Sequence, residues 1–200
     1  IVSKCISLDI SELTVFAFST ENWNRPINEV NGILKLIEIF MKSEIANMNS
    51  QNIVLKLVGD LSNFSSKLTN IFKAAEELTK ENSGLKLNVA LNYGGRQDFI
   101  SSVKSIFSEV KKCNKEIEDI DENIIRDNLI SSSVSDIDLL IRTGGEKRIS
   151  NFMFWQLAYS ELFFTKTLWP DFTVNELEEI IEDYLDRDRR FGKLMSKTYN

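Results

Sequence analysis

The chain has 200 residues, 42% of them hydrophobic and 27% charged, with 24 basic side chains, 30 acidic ones and no histidine. That length fits one domain, residues 1–200, and a net charge of -6 argues against the basic stripe of a nucleic-acid binder. Without histidine the chain has no Ser-His-Asp triad, no imidazole base and no His-ligated zinc of its own.

In chain order, short β-rich runs alternate with longer helical ones. Leu13 to Ser19 is β-branched and aromatic, the size of a buried strand. Glu29 to Asn47 carries Val30, Ile33, Leu34, Ile37 and Met41 at helical spacing. Ile53 to Asp60 predicts a second strand, and Leu61 to Lys80 a helix with Leu68, Ile71, Phe72, Ala75 and Leu78 inward. Leu85 to Asn92 predicts a third strand ending at Gly94-Gly95, followed by helices over Arg96 to Lys112 and Glu122 to Ile130. Ile137 to Arg142 is a fourth strand, closed by Gly144-Gly145. Asn151 to Tyr159 reads as a buried helix, apolar nearly all round. Glu161 to Phe164 is a shorter strand, and Val174 to Asp188 the last helix. This alternation predicts an α/β fold with a mainly parallel sheet and helices on its faces. In such sheets the ligand site lies beyond the carboxyl ends of the strands.

The arginines fall where that rule points. Only 8 of the 24 basic residues are Arg. Arg25 follows the first strand, Arg96 the third, and Arg142 and Arg148 flank the turn after the fourth. Arg187, Arg189 and Arg190 form a tail group, and Arg126 sits on a helix. Arg suits planar, bidentate recognition of phosphate or carboxylate. Arg142 to Asn151 is the strongest signal: Gly144-Gly145 would let backbone N–H groups approach a ligand, and Ser150 would start the next helix, where the dipole favours anions. The competing reading is a tight turn with surface arginines and Ser150 as an N-cap. Trp23, in the polar loop Ser19 to Pro26, is either a core plug or part of a lid. Asn92 to Arg96 is explained by a strand-to-helix turn alone. Glu161 is an ion-pair partner or a metal ligand.

Cys5 and Cys113 have no metal-ligand spacing and read as free thiols of a reducing compartment. No apolar run has the length of a membrane span, and no signal peptide is evident, so the expected location is cytoplasmic. The dinucleotide and P-loop fingerprints are absent.

Six runs together resemble the cis-prenyltransferases, bacterial undecaprenyl diphosphate synthases above all: FSTENWNRP (Phe18 to Pro26), NYGGR (Asn92 to Arg96), IRTGGEKRISNF (Ile141 to Phe152), WQLAYSELFF (Trp155 to Phe164), LWPDF (Leu168 to Phe172) and RDRRFG (Arg187 to Gly192). The resemblance implies an α/β domain with a hydrophobic tunnel, working as a homodimer. It implies that isopentenyl diphosphate is added in cis to an allylic diphosphate such as farnesyl diphosphate, with Mg²⁺, toward undecaprenyl diphosphate for the cell wall. On that basis Arg142, Arg148 and Ser150 hold isopentenyl diphosphate. Asn22 and Trp23 serve catalysis and lid closure, with Ser19 and Arg25 beside the diphosphates. Glu161 is the implied Mg²⁺ ligand, and Arg189 to Gly192 the segment reaching the partner's site. Ala17 and Leu85 are candidate tunnel residues, with the helix Glu29 to Asn47 as one wall; ordinary core is the competing reading. That helix is also where a peripheral membrane contact for product release would fall.

The family's opening M-D-G-N-G-R-W loop, source of its principal Asp ligand and allylic-diphosphate cradle, has no counterpart here. The expectation is a chain lacking its N-terminal portion and inactive as given. The alternative is a non-catalytic partner subunit, which the retained S-x-E-N-W loop disfavours.

Overall fold

The computed structural model describes residues 1–112 and 116–187. Cys113, Arg189, Arg190 and the rest of the tail segment lie outside the described residues. The contacts cluster into two compact units. The larger comprises Val2–Ser135 and Ser150–Met153; the smaller comprises Ile1, Asp136–Ile149 and the described residues from Phe154 onward.

The larger unit holds helix α1 (Val2–Ser7), strand β1 (Glu12–Ser19), helix α2 (Ile27–Ser50), strand β2 (Val54–Val58), helix α3 (Ser66–Thr79), strand β3 (Lys86–Tyr93), helix α4 (Gly95–Lys111) and helix α5 (Glu122–Asp127). Its three strands are parallel in the order β1-β3-β2. Phe18, Leu55, Val58, Phe72, Ala90 and Leu91 are its buried centre. The outer edge of β2 is closed from within the chain. Its outward N–H groups at Ile53, Leu55 and Leu57 donate to the Met48 carbonyl, Thr79 Oγ1 and Glu76 Oε1. Glu76 and Thr79 come from α3, which is why Thr79 is buried while Leu78, expected inside, is exposed.

The smaller unit holds strand β4 (Leu139–Arg142), strand β5 (Glu161–Phe164) and helix α6 (Val174–Leu185). β4 and β5 are parallel, Leu139 opposite Glu161 and Arg142 opposite Phe164. Thr173 caps α6 by accepting the Glu176 N–H at 3.2 Å. Parallel strands alternating with helices give the α/β class read from the sequence. Among the described residues no helix is long and apolar enough to cross a membrane.

Three expected helices differ. The run Leu61 to Lys80 breaks into a 3₁₀ turn, Leu61–Asn63, capped by Asp60, and α3, capped by Ser65. The break leaves Phe64 extended, with its ring 5.7 Å from Phe72 and 5.8 Å from Trp23. Glu122 to Ile130 shortens to α5 because Asp98 takes the Ile130 N–H at 2.6 Å. Asn151 to Tyr159 is a series of turns, not a helix. Asn151 and Met153 have φ of 62° and 40°, left-handed values that no right-handed helix admits. The burial expected there holds for Phe152, Met153 and Leu157, whereas Tyr159 is exposed.

Candidate active site

The carboxyl ends of β1 and β3 are irregular in a paired way. Phe16 faces Ala90, Phe18 faces Leu91 and Ser19 faces Tyr93, so Ala17 is the extra residue on one strand and Asn92 on the other. Such bulges re-aim side chains beside a site. Asn92 has a left-handed φ of 48°, which Asn tolerates better than most residues. Its Oδ1 accepts from Trp23 Nε1 at 2.7 Å, and its Nδ2 donates to the Asp60 carbonyl at 2.6 Å. Asn92 therefore has a function beyond the turn that sufficed for it in the sequence. The signal was available: an Asn closing a buried strand, just before a glycine pair.

Trp23 lies in the 3₁₀ turn Thr20–Asn24. Its ring stands edge-on to Phe18 at 5.0 Å and packs on Phe64. The ring packs as a plug would, and its half-exposed side also borders an open pocket. Asn22 is partly committed to the fold, since its Oδ1 accepts the Ser19 N–H at 2.8 Å. Arg25 is exposed and pairs with Glu29 at 2.6 Å. An open pocket of about 370 Å³ lies beside Trp23, Thr20, Asn92, Gly94 and Gln97, and among the described residues no basic side chain lines it. Burial, then the nearby Asp98 carboxylate, pushes the Tyr93 phenol in its wall far up from its usual value. Ala17 and Leu85 do not come together. Leu85 is buried at the amino end of β3, while Ala17 is exposed near the carboxyl end of β1.

The segment Ser150–Met153 belongs to this same unit. Ser150 is exposed with φ of 48°. No helix follows it, so the expected help from a helix dipole is absent. Asn151, passed over in the sequence, makes four bonds. Its carbonyl accepts the Gly95 N–H at 2.7 Å and its Oδ1 the Arg96 N–H at 2.8 Å. Its Nδ2 donates to Glu21 Oε1 at 2.9 Å and Gln97 Oε1 at 3.1 Å.

In the smaller unit, the turn after β4 differs from its expected chemistry. Gly144 and Gly145 have φ of 86° and 78°, which explains the glycines. Their N–H groups already donate to the Thr167 and Thr165 carbonyls, both at 2.8 Å, so they are not a ready nest for an anion. The cationic part of the expectation fares better. Arg142 donates to the Arg148 carbonyl, and Arg148 pairs with Glu146, more than half exposed. Glu161, at the start of β5, pairs with Arg187 at 2.8 Å, and Arg187 reaches Asp183 at 2.7 Å. Those two carboxylates raise the Arg187 guanidinium above its ordinary value. Mg²⁺ is held by one or two carboxylates with phosphate and water oxygens. Glu161 holds a guanidinium instead, and among the described residues no group of three or more His, Cys, Asp or Glu side chains could hold a metal. A Mg²⁺ site built on Glu161 would need that carboxylate to exchange Arg187 for the metal, with phosphate and water oxygens completing the shell.

Comparison with known proteins adds the following. Residues 1–192 match the family model described as "Putative undecaprenyl diphosphate synthase". The chain is 46% identical to a (2E,6E)-farnesyl-diphosphate-specific ditrans,polycis-undecaprenyl-diphosphate synthase of Buchnera aphidicola subsp. Acyrthosiphon pisum, over 94% of this chain and 74% of that one. It is 44% identical to an isoprenyl transferase of Clostridium perfringens, over 96% and 76%. Among solved structures it resembles lavandulyl diphosphate synthase from Lavandula x intermedia in complex with dimethylallyl diphosphate. The TM-score is 0.93 at 34% identity, over 96% of this chain and 84% of that one.

Proposed function

The chain belongs to the prenyltransferase family that its residues 1–192 match, and from that premise we propose that it condenses isopentenyl diphosphate in cis onto an allylic diphosphate, farnesyl diphosphate first, to build undecaprenyl diphosphate. The turn after β4 carries this reading. Arg142 and Arg148 stand at a strand's carboxyl end, and the partner of Arg148 is an exposed carboxylate. A diphosphate, with more charge than either, offers Arg142 a stronger acceptor than the Arg148 carbonyl and Arg148 a stronger one than Glu146. Arg142, Arg148 and Ser150 hold isopentenyl diphosphate in this proposal.

The reaction forms a carbon–carbon bond at C1 of the allylic partner as its bond to the diphosphate oxygen breaks. Charge then grows on the departing pyrophosphate, and donors fixed in advance stabilise it. Asn22 keeps Nδ2 for that task, since its oxygen is taken by Ser19. Arg25 exchanges Glu29 for phosphate, and Trp23 excludes water. A tunnel for the growing chain along α2 is part of the proposal by resemblance, with Ala17 and Leu85 assigned to its opposite ends. Glu161 is offered to Mg²⁺ by resemblance alone, and no step is assigned to the metal. A homodimer is part of the proposal, supported by Ile100, Val103 and Phe107 exposed at helical spacing on α4. Exposed Leu36, Ile39 and Phe40 on α2 support a peripheral membrane contact.

The test is an assay of the full-length protein with farnesyl diphosphate, labelled isopentenyl diphosphate and Mg²⁺, with product length read by chromatography. R142A is expected to raise KM for isopentenyl diphosphate by about ten-fold or more, the scale of one charge-assisted bond. An unchanged KM overturns the assignment of Arg142.

A further inference from the structure

We infer that Asn151 is a positioning residue for the reaction: its side-chain amide ties the Thr20–Asn24 turn, which carries Trp23, to the amino terminus of α4. The inference rests on the prenyltransferase reading above and adds to it a residue that acts through Trp23.

The orientation of the amide follows from its neighbours. The Arg96 N–H only donates, so Asn151 must offer it oxygen. The nitrogen then faces Glu21, whose carboxylate only accepts, and the Gln97 oxygen. One residue thereby fills two needs. It satisfies the first two N–H groups of α4, which the cap residue Gly94 has no side chain to serve. It also grips the turn two residues before Trp23. The left-handed backbone at Ser150 and Asn151 lets the carbonyl and the side chain reach the same helix end.

Gly94 marks how tightly these groups converge. A Cβ there would stand 2.4 Å from Gln97 Oε1, 2.6 Å from Thr20 Oγ1 and 2.8 Å from Asn151 Nδ2. Burial alone would raise the Glu21 carboxyl, yet hydrogen bonds, that from Asn151 foremost, bring it below its usual value. The charged form of Glu21 is therefore the one the tie holds. Asn151 directly follows Ser150, so a diphosphate drawn to the Ser150 hydroxyl acts on the same backbone that holds the Trp23 turn.

The test is N151D in the full-length protein. Aspartate keeps an acceptor for the Arg96 N–H, and its charge suits a helix amino terminus. It loses the donor and sets two carboxylates face to face. With Trp155→Phe, Trp169→Phe and any tryptophan outside residues 1–200 likewise changed to Phe in the background, Trp23 is the one tryptophan read. Trp23 is expected to lose its protection from acrylamide quenching in N151D, while Tm holds. kcat is expected to fall by about ten-fold, with smaller changes in both KM values. N151D/E21Q restores a donor facing the carboxylate and should recover both readouts. G94A, which crowds the same knot, should expose Trp23 as N151D does. Unchanged quenching in N151D, or no recovery in N151D/E21Q, overturns the inference. A parent protein without transferase activity overturns the prenyltransferase reading instead, and the quenching pair still upholds or overturns the tie.

Discussion

The turn after β1 and the turn after β4 both follow the carboxyl end of a parallel strand, and they are built in opposite ways. The first is held mainly by neutral and aromatic contacts, with one carboxylate tie: Trp23 on Phe18 and Phe64, its indole N–H on Asn92, Asn22 on the Ser19 N–H, and Glu21 on the Asn151 amide. The second is exposed and wound by two left-handed glycines, and its cations are engaged with each other and with Glu146. One has its shape before any ligand arrives. The other holds charge in partnerships that a ligand can replace. The reaction proposed above must both grip a diphosphate and hold a carbon centre in place, and each turn by itself offers one of these two kinds of construction.

The largest test breaks the first region from below. Phe18 is 1% exposed beneath Trp23. Phe18→Ala should cost about 3–5 kcal/mol, read by urea denaturation. A cost under ~1 kcal/mol would mean that the turn does not depend on its aromatic floor. A smaller effect tests the second region. Glu146→Gln removes the carboxylate competing for Arg148 and should tighten inorganic pyrophosphate by about two- to five-fold in calorimetry, the range of an exposed ion pair. Weaker binding would mean that Glu146 helps to hold the ligand. The smallest effect is a pH dependence confined to the first region. The folded Glu21 carboxyl lies below its usual value of 4.5. Its contribution is therefore complete above the usual value and disappears as pH falls through the lower, folded one. Acrylamide access to Trp23 should rise in that acid window, and Glu21→Gln should flatten the rise.

Sequence patterning gave the strands well, because β-branched and aromatic runs such as Leu13 to Ser19 leave little choice. It failed where a partner distant in the chain decides. Nothing near Gly144 and Gly145 says that Thr167 and Thr165 will take their N–H groups. Nothing near Asn151 says that α4, some 55 residues earlier, will draw it out of a helix. Phe64 left its helix because three other rings were waiting for it. The arginines could be located from the sequence, since their scarcity and their places after strands need no tertiary partner. The two asparagines that organise the Trp23 turn could not. Asn92 and Asn151 act through a left-handed backbone, which Asn permits but does not announce.

The closed edge of β2 has a consequence for how the molecule behaves in a crowd. An unpaired strand edge is a template on which another chain can assemble, and natural proteins blunt such edges with charge or cover. Here Glu76 and Thr79 occupy the donors that a foreign strand would use. The sheet is therefore sealed on that flank against growth by strand addition from a neighbour, and the helix that packs on the strand also protects the protein from aggregation.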